Sequence, residues 1–205
     1  MKYFFNIVGL VLVVLASACS QTSFEDKPSL LAYIKNPENG YTQTKEVNGV
    51  EIALTYRPTD LLVAQELRGE ASKTTIESIR KKYSKHLYFN LSISKNGKEI
   101  LSSVPNDRSE FGAMVNKLSF GMGRSVHLFT DKKDTIPMTD YIYPRMYGMG
   151  KSTSMLLVYP REKELMDSNF FKVSLKDIGL STGEINFKFD TEKIHSEPLL
   201  SQTKL

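Results

Sequence analysis

Residues 147–153 of this chain, Tyr-Gly-Met-Gly-Lys-Ser-Thr, set glycines, a lysine and two hydroxyls in an order that can cradle a nucleotide phosphate. A phosphate-binding loop also needs a glycine five positions before the Gly-Lys glycine, and a helix directly after the hydroxyls. The position five before Gly150 is Arg145, and the residues after Thr153, Ser-Met-Leu-Leu-Val-Tyr-Pro, read as a strand closed by proline. No helix N-terminus is offered to an anion, so nucleotide binding is rejected. A weaker anion chemistry survives, because residues 147–152 nearly repeat residues 120–125, Phe-Gly-Met-Gly-Arg-Ser. Two such loops would expose backbone N–H groups beside Arg124 and Lys151, which makes these cations a candidate anion contact. Their contexts differ, the first following a helix and the second a strand and turn, so two ordinary loops leading into strands is the simpler reading. Ser125 and His127 lie two apart but without the turn that makes a serine nucleophilic. The three histidines, His86, His127 and His195, have no metal-ligand spacing, and the carboxylates are scattered. No catalytic residue, metal or cofactor is expected.

One residue carries a sharper signal. Cys19 is the single cysteine, preceded by Ala16-Ser17-Ala18 and, before that, by an uncharged apolar run from Ile7 with Lys2 near the start. The run is shorter than the ~20 residues that span a bilayer, which fits a signal peptide better than an anchor. Ala16 to Cys19 resembles the lipobox of bacterial lipoproteins, with Leu15 one position earlier than the usual leucine. The resemblance implies cleavage before Cys19 and a thioether-linked diacylglycerol there, a use for a thiol that has no disulfide partner. Ser20 in place of aspartate implies the outer membrane. Together with residues 29–67 the chain resembles the small uncharacterised lipoproteins of Bacteroidota, a likeness that brings no catalytic residues with it.

The net charge of +4 is mild for 205 residues and argues for no nucleic-acid partner. The expected layout is a signal peptide over 1–18, a polar tether over 19–29, one globular domain over 30–198 and a tail over 199–205. Asn48-Gly49 and Asn96-Gly97, each between strand-like arms, predict two hairpins and hence antiparallel pairing. Thr59 is the expected cap of a short helix, and a second helix is expected over 72–84 with Ile76, Ile79 and Tyr83 on its apolar face. The basic run Arg80, Lys81, Lys82 and Lys85 reads as that helix's solvated side. A third helix, capped by Ser109, should place Phe111, Met114, Val115 and Leu118 on one stripe. Strands are expected at 125–130, 135–143, 153–159, 170–175 and 184–190. The fold class is α+β, a mainly antiparallel sheet of about seven to nine strands with two or three short helices.

Function is read as a lipid-anchored, non-enzymatic protein of the cell envelope that binds another envelope component or serves as an accessory subunit. Its interaction surface is sought in residues 141–150, at Tyr141, Tyr143, Tyr147 and Met149, dense in aromatic and thioether side chains. The rivals are a secreted hydrolase or glycan-acting enzyme, which needs converging carboxylates or a Ser–His pair, and a small-ligand carrier, which needs an apolar cavity.

Overall fold

The computed structural model describes residues 21–67, 71–104, 107–145 and 150–201. Strand β1 (Ser23–Phe24) leads into helix α1 (Lys27–Lys35), capped by Asp26, whose carboxylate accepts from the Ser29 amide at 2.7 Å. The first predicted hairpin follows as β2 (Thr42–Val47) and β3 (Val50–Tyr56). Asn48 and Gly49 both take left-handed φ, +52° and +72°, the geometry that matches strand twist in a two-residue turn. Helices α2 (Thr59–Glu66) and α3 (Lys73–Tyr83) come next, then β4 (His86–Lys95) and β5 (Lys98–Glu99), which turn on Asn96-Gly97 at the same two φ values. Helix α4 (Arg108–Asn116) runs into a π turn at Lys117–Gly121. The chain then forms β6 (Val126–Thr130), β7 (Thr135–Ile136), β8 (Asp140–Ile142), β9 (Thr153–Pro160), α5 (Lys163–Met166), β10 (Phe170–Leu175), β11 (Ile185–Asp190), α6 (Thr191–His195) and β12 (Leu199–Leu200).

The class is α+β with antiparallel sheets, as expected. One sheet has the order β2-β3-β4-β9-β8, with β5 also on β4; the second has the order β11-β10-β6-β7. Both pack their apolar faces into one core. Phe89 on β4 sits 5.9 Å from Phe171 on β10 and 5.3 Å from Phe189 on β11, ring centre to ring centre. β11 alternates cleanly: Ile185, Phe187 and Phe189 are buried while Asn186, Lys188 and Asp190 face out.

Four expectations change. Twelve strands and six helices occur among the described residues, more than anticipated. The surplus is short, since β1, β5, β7 and β12 have two residues each and are defined by backbone bonds rather than by any hydrophobic period. Residues 135–143 are not one strand but two on different sheets, β7 beside β6 and β8 beside β9, with Pro137 between them. The helix caps differ: Asp107, not Ser109, accepts the first amides of α4, and Thr59 lies inside α2. On α4, Phe111 is exposed, whereas Leu118 is buried one element later, in the π turn.

The tether and tail are the fourth correction. β1 and β12 pair in parallel, so residues 23–29 and 199–201 belong to the folded body. The Leu199 amide donates to Thr22 O at 2.9 Å and the Ser201 amide to Phe24 O at 2.8 Å. Polar composition hid this, because the pairing uses main-chain groups that every residue carries.

Candidate functional site

In an antiparallel sheet one register position brings together side chains from every strand on the same face. Tyr56, Phe89 and Leu157 face the core, so their neighbours face outward. One outer row runs from Arg57 past Tyr88 and Val158 to Asp140, and the next holds Thr55, Asn90, Leu156 and Ile142. Beside this face stands the α2–α3 pair, contributing Leu62, Gln65, Glu66 and Tyr83. Between sheet and helices lies an open groove of about 490 Å³, within the usual range of small-ligand pockets. Leu62, Tyr88 and Val158 form its apolar floor, flanked by Tyr83 and Leu156, and Ile142 and Pro144 form the far rim.

The wall is fixed from behind. Asp60, wholly buried in the first turn of α2, accepts from Arg80 of α3 at 2.7 and 3.0 Å and from the Leu200 amide at 2.9 Å. Glu197 supplies the cap that Thr59 does not. Its carboxylate accepts from the Thr59 amide at 3.0 Å, the Thr59 hydroxyl at 2.8 Å, Tyr56 at 2.6 Å and Arg161 at 3.3 Å. An anion at a helix N-terminus also complements the helix dipole. Burial, then the Glu197 charge, pushes the Tyr56 hydroxyl far above its ordinary value, so it remains a neutral donor.

Charge in the groove is unbalanced. Glu66 is engaged by Lys82 at 2.7 Å and by the Tyr83 hydroxyl, and the Lys82 hydrogen bond holds its carboxyl below the ordinary value. Arg57 is half-buried. Among the described residues its side chain makes one hydrogen bond, from Nη2 to the neutral Gln65 Oε1 at 3.1 Å, and its enclosed Nε has no acceptor. Desolvation lowers its pKa.

The residues singled out from sequence are dispersed. Tyr141 and Tyr143 are half-buried and pack against the core, and the buried Tyr141 hydroxyl has no hydrogen-bond partner among the described residues. The side chain shown to solvent is that of Ile142, between them. Tyr147, Met149 and Cys19 lie outside the described residues. Arg124, on a short turn after α4, lines a shallow hollow with Lys117 and Phe120; Lys151 is exposed just before β9 and shares no described pocket with it. The Gly150 amide, part of the supposed anion loop, donates to the buried Glu99 carboxylate at 2.8 Å, so the loop holds an anion of the protein's own. Ser125 donates to Gly121 O and His127 Nε2 lies 3.1 Å from Arg124 O, so neither side chain engages the other. Among the described residues no group of three or more His, Cys, Asp or Glu could hold a metal ion. Lys82 and Arg80, read as solvated, are both ion-paired.

The groove residues Arg57, Tyr88, Leu156, Val158 and Ile142 went unrecognised in the sequence. A signal was present: Met155 to Tyr159 is apolar without alternation, which means that both faces of β9 meet apolar surroundings.

No protein-family profile matches the sequence, and no curated protein matches it. Two solved structures resemble it in outline. A DUF4426 family protein from Pseudomonas aeruginosa PAO1 has 10% identity and a TM-score of 0.36, covering 73% of this chain and 94% of that one. A protein of unknown function from Burkholderia pseudomallei K96243 has 10% identity and a TM-score of 0.40, covering 80% and 83%. Neither description names an activity.

Proposed function

We propose that this chain is a lipid-anchored, non-enzymatic protein of the cell envelope, and that it binds the alkyl chain of an envelope amphiphile in the groove between β9 and the α2–α3 pair. The anchor is read from the lipobox resemblance at Cys19, and the outer membrane from Ser20. The observation that carries the binding role is the groove itself, where Leu62 of α2 packs over Tyr88 and Val158 on the outer side of the sheet, all three largely buried, and Leu156 and Ile142 are the apolar side chains open to a ligand. The apolar strip favours a ligand with a hydrocarbon chain over a polar glycan, and makes this a carrier or sensor rather than a hydrolase.

Two measurements on the full chain test the proposal. Mass spectrometry of the membrane-extracted protein is expected to find a diacylated N-terminal peptide starting at Cys19; an unmodified Cys19 overturns the anchor. A photoreactive dodecanol probe is expected to label peptides of α2, β8 and β9 and to lose that labelling in Leu156→Trp, which fills the groove. Labelling confined to other elements, or none, overturns the binding role. Co-purification of a protein that remains bound to Leu156→Trp while the probe labels nothing points to an accessory-subunit role and refutes the groove.

A further inference from the structure

We infer that the groove is selective for an anionic amphiphile, whose oxyanion head group is held by Arg57 while its chain lies over Val158, Leu156 and Ile142. This rests on the reading above and names the ligand's chemistry. Three arginines are tied to the same sheet and its helices, and two of them have carboxylate partners. Arg80 is bidentate on Asp60, and Arg161 lies 3.3 Å from Glu197. Arg57 has none among the described residues, although it lines a mostly apolar groove. Its one acceptor is a neutral amide oxygen. A cation in such surroundings gains from an opposite charge far more than one in water does. The nearest candidate within the groove, Glu66, is taken by Lys82 and Tyr83. Among the described residues the groove therefore provides the positive charge and leaves its counter-charge to be supplied from outside.

The neighbours support a head-group position at this end. Asn90 lies one row away on β4, directly between Thr55 and Leu156 in register, and its side-chain amide has no protein partner among the described residues. It can donate to a second oxygen of the same head group. Moving from Arg57 and Asn90 towards β8, the lining becomes Leu156 and Ile142, without a charge on either, which suits a tail. Guanidinium matches the planar carboxylate and the phosphate monoester equally well, so both share this site's chemistry.

The test uses the full chain in digitonin, an uncharged detergent without an alkyl chain. Dodecanoate, dodecyl phosphate and dodecanol are each titrated against a photoreactive dodecyl probe, at a pH where the carboxylic acid is ionised. The better anion is expected to bind about 10- to 100-fold more tightly than the alcohol, the range of a charged hydrogen bond. Arg57→Gln is expected to abolish that preference, lowering the affinity for the anions by a larger factor than that for dodecanol, and Arg57→Lys to restore part of it. Preference for dodecanoate identifies a fatty-acid-like ligand, and preference for dodecyl phosphate a phosphomonoester lipid; either supports the inference. Equal binding of anions and alcohol by the native chain overturns it and leaves the groove reading intact. Failure of all three to bind overturns both.

Discussion

Replacing Asp60 by alanine removes the carboxylate that joins α2, α3 and β12. Three hydrogen bonds end on it, two from Arg80 and one from the Leu200 amide, and the aspartate itself is wholly buried. Breaking a buried ion pair costs about 3–5 kcal/mol, because the surviving partner keeps its charge without compensation. The Arg80 side chain is 26% exposed and regains some water, which points to the lower end, about 3 kcal/mol. For a chain of this size that is a fall of roughly 6–12 °C in Tm. The assay is urea unfolding followed by circular dichroism, with hydrogen exchange on α2 and α3 as a local readout. Amides of both helices should lose protection before those of β4 and β9, and ligand affinity should fall with them, since Leu62, Gln65, Glu66 and Tyr83 stand on these helices. The double change Asp60→Leu with Arg80→Met should recover much of the stability, because apolar replacements carry no unpaired charge. A loss below about 1 kcal/mol in Asp60→Ala refutes the claim that this carboxylate fixes the groove wall.

Truncation after Ser196 removes Glu197 and β12, and should abolish cooperative unfolding by urea; a truncated chain with native stability would return residues 197–201 to the status of a tail. High pH should unfold the protein through its tyrosines. Burial, helped by the nearby Tyr33 and Glu197, pushes the Tyr41 hydroxyl up from 10.0 to about 12, and burial also raises Tyr56 and Tyr159. Each pKa is higher folded than unfolded, so this stability is whole below pH 10.0 and is lost as pH climbs through about 12. Tyrosinate absorbance should show these groups ionising together with unfolding; independent titration near the ordinary value would contradict their burial. Gly150→Ala places a Cβ 2.5 Å from Glu99 Oε1, so it should cost about 1–3 kcal/mol in urea by displacing a buried carboxylate from its amide donor.

What could be read along the chain was whatever is written in local period or local turn chemistry. The Asn-Gly pairs set both hairpins because only a few residue types tolerate consecutive positive φ. β9 to β11 were visible because four or more apolar or alternating residues run together. Helix α3 followed from the spacing of its apolar face, of which only Ile76 is fully buried, while its cap Ser72 went unread. The strand read after Lys151 was visible on the same local grounds, as β9.

The groove was not visible, because its members stand far apart in sequence. Arg57, Asn90, Ile142 and Leu156 meet through strand register, and a one-residue slip would send each to the opposite face. For a related reason composition names side chains but not the face they take: register turned Tyr141 inward and Ile142 out. The folding of both terminal segments was equally hidden, because Asp60 and Thr59 hold residues 197–200 across more than 130 positions and β12 in turn pairs with β1. The sequence by itself determined the longer strands and both hairpins, carried by neighbours in the chain, and offered Cys19 as a candidate lipid site. The open groove and the unpaired cation at its edge exist only in three dimensions, where long-range register and burial decide which charges find partners.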